Sequence, residues 1–378
     1  MASINFKHTP FGDLALISMR GCEDIASQVD YYLKQWRCIP DDESFVVPAN
    51  CPRFGTGEAK AVLKHTARGL DAYIICDCFN YSVTYKMYGQ TVPMSPDDHY
   101  QDLKRIIAAL GGKARRITVI MPMLYEGRQH RRTTRESMDC AMALQELVAM
   151  GVKNIVTFDA HDPRVNNAIP LDGFDNVQAA YQMIKALLKT VPDIKLNRDH
   201  TMIVSPDEGG MGRCIYYSSV LGLDLGMFYK RRNYSVVVNG RNPIEAHEFL
   251  GNDITGKDLI LVDDMISSGE SMLDIAAKLK EKGAGRIFIF STFGLFVEGF
   301  EKFDQYYADG KIDKIFTTNL IYHRSCLTVS GTAALICRST SRCSLRHSIT
   351  IILSAAFWIL LTALRKSLQN TVRINKSS

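Results

Sequence analysis

Leu259 to Ser271 reads LILVDDMISSGES: four apolar residues, two adjacent acids, then small hydroxyl residues and a glycine that open an amphipathic stretch. A short apolar run of this kind is a buried strand, and its end delivers Asp263 and Asp264 into a cleft. The first N–H groups of a following helix have no partner within that helix and bind a phosphate, with Ser267, Ser268 and Ser271 as further hydroxyl donors. Gly269 opens the turn, and the acids hold sugar hydroxyls or a hydrated Mg²⁺. The chemistry suits a phosphorylated sugar. The plainer reading of the same residues is a solvated strand-to-helix turn.

Three further groups stand where such chemistry needs them. Lys230 and Arg232 flank Arg231 between the apolar LDLGMFY and the polar NYSVVVNGRN. Consecutive cations alone read as a solvated face; beside a phosphate site they neutralise a polyphosphate. His161 follows the run NIVTF and Asp207 follows TMIVS, at the strand carboxyl ends where open parallel sheets carry ligand groups. A lone loop histidine is more often a hydrogen-bonded structural residue. The chain has no GxxxxGK[ST], complete GxGxxG, HExxH or GxSxG motif, so the usual nucleotide and hydrolase signatures are absent.

The elements that must position these residues alternate in type. Apolar, β-branched runs at 44–48, 72–76, 117–121, 154–158, 201–205, 258–264 and 286–292 read as buried parallel strands. Between them, Tyr100, Leu103, Ile107 and Leu110 keep the helical period after SPDD, and Met272, Ile275, Ala276 and Leu279 keep it after SSGE. This pattern predicts an α/β fold with mostly parallel sheets flanked by helices. IIAALGGKARRITVI, LVAMGVKNIVTF and LKEKGAGRIFIF echo one another, each ending a helix at glycine before a strand. Duplicated α/β domains and convergent helix-to-strand chemistry both account for the echo.

Composition bounds the partners. The 378 residues suggest two domains, and 46 % hydrophobic with 22 % charged residues excludes a disordered, collagen-like or coiled-coil chain. Eight of the 45 Lys and Arg lie in Arg324–Ser378, which has no acid, leaving 37 basic against 40 acidic residues in the main body. That near-neutral body carries no nucleic-acid footprint. The ten scattered cysteines fit buried thiols in a reducing cytoplasm. The N-terminus lacks the pattern of a cleaved secretion signal.

The segment at 259–271 resembles the phosphoribosyl-binding loop shared by phosphoribosyltransferases and ribose-phosphate pyrophosphokinases. RFGTGEAK (53–60), YEGRQHRR (125–132), TFDAHDPR (157–164), SPDEGGMGR (205–213) and FYKRRN (228–233) are similar, in order, to landmarks of the pyrophosphokinase family. The resemblance runs from Arg53 to Thr318, roughly 70 % of the chain. It implies two tandem phosphoribosyltransferase-like domains, and transfer of the diphosphoryl group of ATP to the C1 hydroxyl of ribose 5-phosphate for nucleotide biosynthesis. A simple phosphoribosyltransferase, which consumes the product of that reaction, needs only one such domain.

The same resemblance implies roles for residues. Lys230 and Arg232 clamp the transferring group, and His161 and Asp207 position Mg²⁺. Arg128 and Gln129 hold ATP, and Phe54 and Glu58 reach it from a neighbouring subunit of a hexamer. Asp263, Asp264, Ser267, Ser268, Gly269 and Ser271 hold ribose 5-phosphate. The sequence departs from the commonest pattern at Thr56, His130 and Ser267, where Asp is usual or common, at Glu208 (His), and at Glu270 (a small residue). These departures motivate an alternative, a non-catalytic homologue that assembles with active subunits.

The expected domains are 1–165 and 166–323, followed by a tail at 324–378. Its abrupt loss of acids reads as a shifted reading frame. The competing reading is a membrane anchor, because Ser348–Leu364 is 17 uncharged residues between Arg346 and Arg365, at the short limit for a span.

Overall fold

The computed structural model describes residues 12–40, 42–232, 244–323, 335–336 and 349–352; the side chains of 36, 230–232, 244–247, 335–336 and 349–352 are outside the description. The tail expectations, apart from two short strands, lie outside the described residues. No described helix is long and apolar enough to cross a membrane.

The described chain forms two units, one over 12–178 with 320–323 and one over 179–319 with the two tail strands. The first contains β1 (Asp13–Ser18), α1 (Glu23–Arg37), β2 (Ala49–Asn50), β3 (Val62–Leu63), β4 (Leu70–Ile75), β5 (Thr84–Met87), β6 (Gln90–Pro93), α2 (Pro96–Leu110), β7 (Arg116–Ile120), α3 (Asp139–Ala149), β8 (Asn154–Phe158) and β9 (Gly173–Val177). Its sheet is wholly parallel in the order β1-β4-β7-β8-β9. Ala72 to Ile75 are fully buried, as a strand covered on both faces requires. Ser95 caps α2 through a capping box with Asp98, with Pro96 in the first turn. The expected face, Tyr100, Leu103, Ile107 and Leu110, is buried.

The second unit contains α4 (Ala180–Thr190), β10 (Thr201–Ser205), α5 (Met211–Leu221), β11 (Asp224–Arg232), β12 (Ile244–Leu250), β13 (Asp258–Ile266), α6 (Glu270–Glu281), β14 (Ile287–Gly294), α7 (Glu301–Ala308), β15 (Lys314–Thr318), β16 (Leu335–Ile336) and β17 (Ile349–Ile352). Its sheet runs β12-β11-β10-β13-β14-β15-β17-β16. It is parallel except for the β11/β12 and β16/β17 pairs. Leu259 to Leu261 are fully buried in central β13, and Met272, Ile275, Ala276 and Leu279 turn the apolar face of α6 inward. Both units are therefore α/β with mostly parallel sheets flanked by helices. Gly111, Gly151 and Gly283, one in each echoing segment, take positive φ, consistent with helix-ending turns.

The run SFVVP does not form a strand. Leu16 donates to Phe45 O (2.8 Å), Val47 donates to Leu16 O (2.7 Å), and only an isolated bridge joins Leu16 to Val46. Pro48, lacking an N–H, cannot extend the ladder. Five of the described cysteines are buried, Cys51 is half-buried and Cys38 exposed, all free thiols. Burial raises the Cys51 and Cys140 thiols to about 12, so they stay protonated.

Candidate active site

In the second unit, β13 lies between β10 and β14, and its carboxyl end carries the two acids. Asp264 is buried at 3 % exposure, and its N–H donates to Asp263 Oδ1 at 2.9 Å. Arg213 of α5, whose side chain is largely covered, brings Nη1 to 3.9 Å from Asp263 Oδ1. Burial, then the charge of Asp264, holds the Asp263 carboxyl well above its ordinary range, and Arg213 opposes this only in part. Two adjacent carboxylates, Asp264 buried and Asp263 half-buried, gather negative charge at the end of β13, and a hydrated Mg²⁺ fits them. No group of three or more His, Cys, Asp or Glu arranged for a metal occurs among the described residues. Mg²⁺ commonly needs only one or two carboxylates besides water and substrate phosphate.

The chain then turns sharply into α6. Ile266 O accepts from Leu295 and Phe296 N–H, and Ser267 O from Val297 N–H at 3.1 Å, which pins the start of the loop. Gly269 has φ +85°, and a Cβ there would lie 2.1 Å from Phe303 Cζ, so any other residue is strained and forces the Phe303 ring to shift. Gly269 is also the N-cap and offers no capping side chain, so the first N–H groups of α6 remain for a ligand. Ser267 and Ser268 are half-buried, whereas Ser271 is exposed. Glu270 is paired with Lys302, Oε1 to Nζ at 2.6 Å.

Asp207 follows β10 in the same unit. Its Oδ1 accepts from Gly210 N–H at 3.1 Å, and its carbonyl accepts from Ser205 Oγ at 2.7 Å, shaping the turn into α5. Lys230 and Arg232 end β11, with backbones paired to His247 and Ile244 and a register shift between Arg231 and Arg232. Their side chains lie outside the described residues.

The first unit brings together another set. Tyr125 stacks on Tyr100 at 4.3 Å and donates to Asp97 Oδ1 at 2.7 Å, anchoring the loop after β7. Gln129 N–H donates to Glu126 O at 2.8 Å, and Arg128 and Gln129 project as exposed residues. His161, exposed after β8, has its ring 5.2 Å from that of His130, whose Nε2 lies 3.6 Å from Asp162 Oδ2. Burial lowers the His130 pKa, which favours the neutral ring, while Arg164 holds the Asp162 carboxyl at about 2. Phe54 and Glu58 lie on a tight turn closed by Phe54 N–H to Glu58 O (2.7 Å). Both are exposed, and Thr56 Oγ1 donates to Glu58 Oε2 at 3.0 Å.

Arg213 and the His130–His161 contact were not singled out from sequence. Arg213 lies six residues after Asp207, within the quoted motif, but only the fold puts it against Asp263. The histidines are separated by a crossover helix and a strand.

The family model described as the N-terminal domain of ribose phosphate pyrophosphokinase matches residues 14–151. The model of a phosphoribosyl synthetase-associated domain matches residues 237–348. Among curated proteins, a ribose-phosphate pyrophosphokinase of Ralstonia nicotianae is 27 % identical over 272 residues, covering 71 % of this chain and 76 % of the relative. One of Pasteurella multocida is 28 % identical over 277 residues, covering 72 % and 78 %. The crystal structure of phosphoribosylpyrophosphate synthetase from Mycobacterium smegmatis superposes with a TM-score of 0.69 at 21 % identity, over 95 % of this chain and 99 % of that one. That likeness extends to the fold.

Proposed function

We propose that this chain, which belongs to the ribose-phosphate pyrophosphokinase family, is a catalytically active ribose-phosphate diphosphokinase. In this reading the C1 hydroxyl oxygen of ribose 5-phosphate attacks the β-phosphorus of ATP. The new O–P bond forms as the bond to the bridging oxygen of the α-phosphate breaks; AMP leaves and the hydroxyl proton passes to solvent. The observation that carries the proposal is the acid pair at the end of β13 leading into a helix opened by Gly269 at positive φ against the Phe303 ring.

The residue roles follow the chemistry. The 5-phosphate binds the N–H groups at the start of α6 with Ser267, Ser268, Gly269 and Ser271, while Asp263 and Asp264 hold the ribose hydroxyls and a hydrated Mg²⁺. His161 and Asp207 are further metal-positioning candidates. Bound Mg²⁺ supplies neutralisation of the polyphosphate. Lys230 and Arg232 offset the charge that develops on the transferring group. Arg128, Gln129, Phe54 and Glu58 bind ATP, and the working form is a cytoplasmic oligomer, with a hexamer as the family's assembly.

Two departures favour a second reading, a non-catalytic homologue that assembles with active subunits. Thr56 stands where an acid is usual and engages Glu58 through its hydroxyl, while Ser267 has no carboxylate for the ribose. The test that separates the two is formation of AMP from ATP, Mg²⁺ and ribose 5-phosphate by the purified chain. A regulatory homologue gives none alone and co-purifies with an active partner.

A further inference from the structure

The β5/β6 hairpin lies beside the turn that carries Phe54. Its two-residue loop is Tyr88-Gly89, with Met87 paired to Gln90 and φ of +48° and +81°, a turn in which Asn-Gly is the economical choice. A tyrosine in the left-handed region is an outlier. Here it is also 78 % exposed, so packing does not explain its presence. A bulky residue held in a strained conformation with its ring in solvent points to use of the ring.

The hairpin is fastened to the turn that carries Phe54. Tyr88 N–H donates to Gly55 O at 2.8 Å. A Cβ on Gly57 would meet Met87 Sδ at 2.9 Å, so the two turns are in close contact there. The Arg53 guanidinium lies 4.6 Å over the Tyr85 ring and is anchored to Asp102 at 2.9 Å. Phe54 is 54 % exposed. Two exposed aromatic rings are thus fixed on backbones joined by one hydrogen bond, while Lys86, Gln90 and Thr91 around them are exposed and polar. A stable protein interface needs about 800 Å² per partner; two rings in a polar surround match a single nucleobase better.

We propose that Tyr88 is a base-stacking residue which, with Phe54, sets the preference of the ATP site for a purine-bearing triphosphate. The proposal rests on the diphosphokinase reading and deepens it. Tyr88→Asn keeps the backbone bond to Gly55 and relieves the turn, so it separates folding from binding: its melting temperature equals or exceeds that of the parent. The KM for ATP rises on the order of tenfold, with kcat and the KM for ribose 5-phosphate unchanged, and Tyr88→Trp restores it. Binding of inorganic tripolyphosphate, which has no base, is the same in all three proteins.

An unchanged KM for ATP in Tyr88→Asn overturns the proposal, as does an equal loss of tripolyphosphate binding. A smaller oligomer with unaltered ATP binding overturns it in favour of a subunit contact. A parent chain that binds neither ATP nor tripolyphosphate overturns the diphosphokinase reading and this inference together.

Discussion

Glu270 Oε1 accepts a hydrogen bond from Lys302 Nζ at 2.6 Å, and the same ammonium lies 2.9 Å from Glu298 Oε2. Glu270 is the first residue of α6, where an acid favours the helix dipole but repels a phosphate at the same end. The pair gives the departure from a small residue a local counter-charge. Lys302→Ala is expected to raise the KM for ribose 5-phosphate roughly three- to tenfold at low salt, and Glu270→Ala with Lys302→Ala to restore it. Melting temperatures should stay level, because the pair is solvent-exposed. A double variant no better than Lys302→Ala would show that the Glu270 charge is not what Lys302 controls.

Asp263 carries the cost of charge burial. Its folded pKa is raised, so the penalty is fully present above that pKa and is relieved as pH falls through it toward the unfolded value. Asp263→Asn is therefore expected to raise the melting temperature at neutral pH without Mg²⁺ while losing AMP formation. Mg²⁺ should stabilise the parent and lose that increment in the variant. An equal Mg²⁺ shift in both proteins would remove the acid pair from the metal site.

Asp77 ties the returning segment to the first unit. Its two carboxylate oxygens accept from Phe79 N–H at 2.9 Å and Tyr322 N–H at 2.8 Å, beside the buried Leu320 and Ile321. Burial moves its pKa from 3.8 to about 6, so ionised Asp77 costs stability above that pH, and the cost is relieved on acidification. The relief is about 1 kcal/mol between about pH 7 and pH 5. Urea midpoints over this range should rise in the parent relative to Asp77→Asn, a difference that removes the histidine titrations common to both. Parallel pH profiles would rule out Asp77 as the origin.

The phosphate loop was legible because its signals are local: an apolar run, two acids and small residues at a helix start lie within thirteen positions. β8 and β10 likewise match the predicted runs residue for residue. β9 was missed because GFDNV interrupts its apolar pattern with Asp and Asn, residues that local propensity assigns to turns. The β5/β6 hairpin was missed because Tyr-Gly is not a usual turn pair. Asp77 and Tyr322 meet across 245 residues, and Arg213 reaches Asp263 from another element; no sequence period reports such contacts.

The most direct measurement is AMP release from ATP, Mg²⁺ and ribose 5-phosphate by the full chain, beside Lys230→Ala and a version ending at His323. The expected result is AMP formation that requires ribose 5-phosphate and falls by on the order of a hundredfold or more in Lys230→Ala. No AMP from folded full-length and shortened protein, or equal rates with and without the Lys230 ammonium, would contradict the account.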